Sequence, residues 1–347
     1  GFESYLDVTD LPTRSGFLQW RQVIGGSLID GRSAGKGLNI YWLNDAVAVL
    51  GDNLKVGFIG FAVKIPQSGF MSIKGLDTRS VGSTEHGPGV QFTVTFNGTD
   101  GSVSFPGGRT TNNVYSYNVW MFVEVGWRIA SDGTGRVQLR INEVPIFDVA
   151  AICLAPAQPV YSIPLNTNEW VNSISIGASQ AIAVDIAIDD LYVCDGTTGP
   201  GLLPCNTFLG DHRVISLIPN GNAVVQWTPG GTSVAGQNWQ QVTTADRDAT
   251  YNSSSTIGTE DLFTLTTLPA NVVKVLAVQV TGSYKKMDAA YHTVTQRLNS
   301  GGTEAIGTPP LGQYSLSSDY TIVSDVFPMT CWKARSWPRS PVQLRLA

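Results

Sequence analysis

Strict alternation of apolar and polar residues is the feature that most narrows what this chain can fold into. Val90, Phe92, Val94 and Phe96 alternate with Gln91, Thr93 and Thr95, and Asn97-Gly98-Thr99-Asp100-Gly101 then turns the chain into Val103 and Phe105. Successive side chains of a strand point to opposite faces, so this pattern predicts a hairpin with one face buried. A second hairpin follows. Val123, Val125, Trp127 and Ile129 share one face, Ser131-Asp132-Gly133-Thr134-Gly135 makes the turn, and Val137, Leu139 and Ile141 return. Arg136, Gln138, Arg140 and Asn142 take the opposite face.

The run 181–196 reads as a further strand with a fault in it. Ile182, Val184, Ile186 and Ile188 hold even positions, whereas Leu191 and Val193 hold odd ones. The phase changes at Asp189-Asp190, which predicts a β-bulge there. Residues 195–206 are rich in Gly, Pro and Thr, and strand-like runs resume at Val214–Ile218, Leu262–Leu265, Val272–Val280 and Tyr320–Phe327. No convincing stretch of helical period occurs. With 37 glycines and only 14% charged residues in 347, the composition suits many short strands and turns. The expected architecture is all-β: a sandwich over 1–197, a linker over 198–206, a smaller β-sandwich-like domain over 207–330, and a basic tail over 331–347.

Charge excludes some partners. A formal net charge of −5 gives no global support for phosphate-backbone binding, so no nucleic-acid partner is expected. No apolar run approaches the roughly 20 residues of a membrane-spanning helix, and no charged-then-apolar leader opens the sequence. Synthesis without a secretory signal is therefore expected. Reduced thiols are favoured for Cys153, Cys194, Cys205 and Cys331, although Cys194 and Cys205 are near enough in sequence for a disulfide.

Several stretches imitate active sites. Gly31-Arg32-Ser33-Ala34-Gly35 fits the G-x-S-x-G pattern of a hydrolase nucleophile elbow. An elbow needs a strand before the serine and a helix after it, and Lys36–Trp42 reads as a strand. The phosphate-loop alternative fails on spacing and lacks Ser or Thr after Lys36. Glycan hydrolysis needs two carboxylates flanking the bond, and Glu124 stands alone in its strand. Asp189 and Asp190, with Asp185 and Asp195 near in sequence, are the candidate calcium ligands, against the plainer reading that they cap strands and turns. His86, His212 and His292 are scattered, so no zinc site is expected. Asn97-Gly98-Thr99 and Asn252-Ser253-Ser254 match glycosylation acceptors but read as turn residues. No cofactor and no catalytic residue is assigned.

The order of motifs resembles a known group. The opening GFESY with GRSAGKGL, WMFVEVGWRI, DGTGRVQLRIN, NSISIG at 172–177 and IDDLYVCDGTTG resemble the concanavalin A-like, laminin-G-like jelly rolls. Continued by NTFLGDHRVISLIPNG, QWTP at 226–229 and TYNSSSTIGTEDLFTL at 250–265, the series resembles tailed-phage virion proteins that carry a lectin-like jelly roll and a second β domain. The resemblance implies a non-enzymatic structural role in a particle assembled in the host cytoplasm, most often in the tail or its fibres. The partners it implies are other virion proteins and copies of the chain itself. A host-surface glycan-binding module and a capsid decoration protein are the alternatives. In the basic tail, Trp332, Arg335 and Trp337 are the candidate interface anchors.

Overall fold

The computed structural model describes residues 14–15, 18–23, 26–33, 35–41, 44–77, 89–154, 170–178, 185–196, 206–232, 237–244, 246–300, 303–306, 314–328 and 343–346. Apart from one short 3-10 turn, Asn238–Val242, every regular element among them is a strand. The chain divides into two compact units, one formed essentially by 18–214 and the other by 215–347 together with Thr13–Phe17.

The first unit is a sandwich of two seven-stranded antiparallel sheets. From edge to edge, the first sheet runs Gly108–Arg109, Val103–Phe105, Val90–Phe96, Met71–Leu76, Val171–Ala178, Asp45–Leu54 and Leu18–Val23. The second runs Val144–Leu154, Ala130–Ile141, Met121–Arg128, Val56–Lys64, Ile186–Asp195, Lys36–Ile40 and Gly26–Asp30. Both hairpins expected from the alternation are present, with Phe96 opposite Val103 and Trp127 opposite Val137. Sequence-distant strands fill the sheet centres, as in a jelly roll.

Inward-facing side chains of the two sheets make the core. Trp127 packs on Phe92 with ring centroids 5.6 Å apart, and Phe105 stacks on Phe147 at 4.0 Å. Val123, Val125, Val137 and Leu139 are fully buried beside them. Trp127 donates its indole N–H to the Leu54 carbonyl at 3.4 Å, so the largest core side chain is also satisfied.

The bulge expected at Asp189-Asp190 is there. Pairing with Val56–Lys64 shifts register between Asp189 and Tyr192, and Asp190 has φ +52°. Asp189 faces outward by plain alternation after the inward Ile186 and Ile188, and the slip beyond it turns Tyr192 and Cys194 onto the same outer face.

The second unit packs a five-stranded sheet, ordered Pro219–Val224, Asp261–Leu265, Gln343–Leu346, Gln296–Ser300 and Thr303–Ile306, with a three-stranded one, ordered Arg14–Ser15, Thr321–Pro328 and Ala277–Tyr284. Leu265 and Leu298 from one sheet meet Val280 and Phe327 from the other. Three expectations are corrected. Val214–Ile218 is not a strand, because the Val214 N–H is taken by Asp190 and the Ile218 N–H by the Thr266 hydroxyl. Val272–Val280 becomes a strand only from Ala277. Residues 343–346, expected in the basic tail, form the middle strand of the five-stranded sheet, since they lie beyond the prolines that would interrupt pairing.

Trp127→Ala removes the indole that bridges the two sheets. Urea unfolding of the first unit's transition is expected to show a loss of about 3–5 kcal/mol. A loss within experimental error would show that the sheets do not meet there.

Candidate functional site

The outer face of the second sheet carries a dense group of buried charges whose members look isolated in the sequence. Glu124, Gly126 and Arg128 alternate outward along Met121–Arg128, since Val123, Val125 and Trp127 face the core. In register, Glu124 lies between Arg140 and Gly60, and Gly60 lies next to Tyr192. A Cβ on Gly60 would sit 2.2 Å from the Tyr192 ring. With no Cβ there, Tyr192 crosses the strand and donates its hydroxyl to Glu124 Oε1 at 2.6 Å. Gly126 works the same way beside it, where a Cβ would meet both Phe58 and Phe208 at 2.9 Å.

Over this row lies a strap of irregular chain, residues 206–214. Phe208 packs edge-on against Phe58, with centroids 4.9 Å apart, under the Arg140 guanidinium at 5.3 Å. Gly210 donates its N–H to Glu124 Oε1 at 2.7 Å, and Leu209 donates to the Tyr192 hydroxyl at 3.2 Å. Asp211 N–H reaches Glu143 at 3.1 Å, and Val214 N–H reaches Asp190 Oδ1 at 2.9 Å. Glu124 is fully buried, and Arg140, 3.8 Å from its Oε2, supplies the compensating charge. Burial, reinforced by Glu124, pushes the Tyr192 phenol far above its ordinary pKa, so it stays a donor. Residues 207–214, expected in the second domain, therefore belong by their contacts to the first unit.

The glycine-rich turn closes the strap's other end. Arg32 donates its backbone N–H to Asp189 Oδ2 at 2.8 Å and clamps both Asp211 oxygens with its guanidinium, at 2.6 and 2.5 Å. The same guanidinium stands 3.7 Å from Asp190 Oδ2. Ser33, the residue in the nucleophile position, accepts from Arg213 at 2.7 Å and is exposed. Lys36–Ile40, a strand, follows the turn.

Asp189 and Asp190, the calcium candidates, are 3% and 4% exposed; both Asp189 oxygens and Asp190 Oδ1 accept backbone N–H groups, while Asp190 Oδ2 has no hydrogen bond and stands 3.7 Å from Arg32. Asp185 accepts from Asn39 at 3.1 Å. Among the described residues no group of three or more His, Cys, Asp or Glu is arranged to hold a metal ion. Trp332, Arg335 and Trp337 lie outside the described residues, as do His86, Cys205 and Cys331. His212 makes a ring-nitrogen contact with the Gly210 carbonyl at 3.0 Å, within the strap itself.

The second unit uses the same device at Asp261. Buried Asp261 accepts from the backbone N–H groups of Gln226 and Trp227, at 2.9 and 3.0 Å, and from Asn238 Nδ2 at 2.8 Å. That holds the QWTP stretch, and Asn252 of the TYNSS stretch bonds the Asn238 carbonyl at 2.9 Å.

No protein-family model matches the chain. No curated protein matches it either. Among solved structures it is similar to an endo-beta-1,4-glucuronan lyase from the fungus Trichoderma reesei, at 11% identity and TM-score 0.36 over 50% of this chain and 90% of that one. It is similar to the carbohydrate-binding module CBM66 from Bacillus subtilis, at 10% identity and TM-score 0.30 over 51% and 94%. A third is the carbohydrate recognition domain of Emp46p, at 9% identity and TM-score 0.32 over 56% and 99%.

Two outcomes follow from the strap. Glu124→Ala leaves two buried donors unsatisfied and is expected to cost about 3–5 kcal/mol in urea unfolding, while Glu124→Gln, which keeps an acceptor, loses much less. Equal losses would show that the acceptor is irrelevant. Burial, the largest effect, raises the Asp190 pKa above its usual value, opposed by the Val214 N–H and Arg32. The folded protein then holds that proton more tightly than the unfolded chain, so the stability Asp190 contributes is fullest below about pH 3.9 and falls as pH rises through the folded pKa. Asp190→Asn should therefore gain on the wild type between acidic and neutral pH. A pH-independent difference in urea midpoints would contradict this.

Proposed function

We propose that this chain is a non-enzymatic structural component of a tailed-phage particle, associated with the tail and acting through assembly with copies of itself and other virion proteins. The observation that carries the reading is where the resembling motifs fall. GRSAG is more than 150 residues from IDDLY and FLGDHRV, yet Arg32, Asp189, Asp190, Tyr192, Gly210 and Asp211 converge on one latch. Those residues are spent on holding chain to sheet. Glu124 and Tyr192, a pair with acid–base chemistry, are covered by Phe208–Gly210 and bonded to it, which supports a non-catalytic role. Rigid sandwiches with pinned connections suit a particle in which each contact is repeated by symmetry.

The second unit offers surface for such contacts. Ile257, Val273, Met287 and Tyr291 are 97%, 99%, 85% and 76% exposed. Large apolar side chains in that state are available to a neighbouring subunit.

Glycan recognition is the second reading, favoured by an open trough with arginines on the outer face of the second sheet. It is compatible with the first, because a tail protein can touch the host surface.

Quantitative mass spectrometry of gradient-purified particles from the culture that produces the chain tests the first reading. The chain is expected at a fixed ratio to the major capsid protein. Its presence in the lysate and absence from particles would overturn the assignment.

A further inference from the structure

The strap leaves part of the second sheet's outer face open. Val56, Phe58, Arg128, Arg136, Gln138 and Ala150 line a trough of about 350 Å³ there, with all its walls in the first unit. The register explains its character. Arg128 stands directly opposite Arg136, with Val56 on its other side and Ala150 beyond Arg136. Gly126 separates Phe58 from Gln138 in the next row.

The charges do not balance. Arg136 donates Nε to Asp148 Oδ1 at 2.7 Å, and Gln138 Nε2 donates to the other oxygen at 3.2 Å. Asp148 is thereby engaged, and Arg136 holds its carboxyl below the usual range. Arg128 is exposed and makes no ion pair among the described residues. Two guanidinium groups directly opposite on neighbouring strands repel, and the one carboxylate beside them is bonded to Arg136 and not to Arg128. An anion between them removes that repulsion and finds planar donors suited to a carboxylate.

The rest of the trough selects what carries the anion. Its floor is mostly apolar, from Val56, Ala150 and the edge of Phe58, which suits the C–H face of a sugar ring. The Gln138 amide oxygen, left over from the bond to Asp148, accepts from a hydroxyl. We infer that the trough between Arg128 and Arg136 is a binding site for a carboxylate-bearing saccharide, a uronic acid unit of a longer chain. This deepens the glycan reading and rests on it.

The probes are uronic acid tetramers and their neutral methyl esters, titrated into the full chain by calorimetry and by NMR. At least one acid tetramer is expected to bind, about tenfold or more tightly than its ester. Arg128→Ala should weaken that binding by a similar factor at unchanged melting temperature. Arg136→Ala should weaken it too. Absence of acid binding at about 10 mM overturns the inference, as does an Arg128→Ala chain that binds like wild type. Competition by sodium acetate at the same concentration as the tetramer also overturns it, leaving a simple anion site. If the ester binds as well as the acid, glycan recognition stands and the acidic specificity falls. If no sugar of either kind binds, both fall, and the particle ratio remains a separate measurement.

Discussion

Irregular chain laid on a sheet brings backbone N–H groups that the sheet cannot satisfy, and the structure depends on buried carboxylates to accept them. A strand in the same place would bond along an edge. A strap over a face has no edge to bond to, so each donor needs a side-chain acceptor or it is buried at a loss of about 1–3 kcal/mol. Buried Glu124, Asp189 and Asp190 supply acceptors for Gly210, Arg32 and Val214, and the exposed Glu143 adds one for Asp211. Asp261 does the same for Gln226 and Trp227 in the other unit. A carboxylate suits the task because it accepts at two oxygens and bonds more strongly than a neutral acceptor. A nearby cation counters its desolvation, as Arg140 does for Glu124, whereas at Asp190 burial outweighs Arg32.

The sheet is shaped to receive the strap. Gly60 and Gly126 clear two adjacent places on the outer face, one for the Tyr192 ring and one for Phe208. The bulge at Asp190 brings Tyr192 onto the outer face that Asp189 already occupies, so that both can meet the strap and the turn. Local irregularity, missing side chains and buried charge thus act together at one spot, where Glu124 and Asp190 accept backbone N–H groups of the strap.

Much of the sandwich is legible in the sequence because alternation is a local signal. Val90–Phe96 with Val103–Phe105, and Val123–Trp127 with Val137–Ile141, announce their own pairing, and the phase change at Asp189-Asp190 announces the bulge. The latch is not legible, because its members are non-local. Glu124 looks isolated within its strand, and its partners sit 68 and 86 residues away at Tyr192 and Gly210. Ser33 mimics a nucleophile for a related reason: a pattern of five residues says nothing of Arg213, 180 residues on. The glycines at 60 and 126 carry the available hint, since a glycine inside a strand often marks close approach by another group. The run Val214–Ile218 misleads in the opposite sense, being apolar enough for a strand while its first N–H is already committed to Asp190.

Native-state hydrogen exchange tests the central claim most directly. If buried carboxylates fasten the strap, the Gly210 and Val214 amides exchange as slowly as core amides of the second sheet, although both lie outside any strand. Glu124→Ala then speeds exchange at Gly210 while leaving the Val123 and Val125 amides protected. Fast exchange at Gly210 and Val214 in the wild-type chain would contradict the account, because it would show a segment that lies on the sheet without being held there.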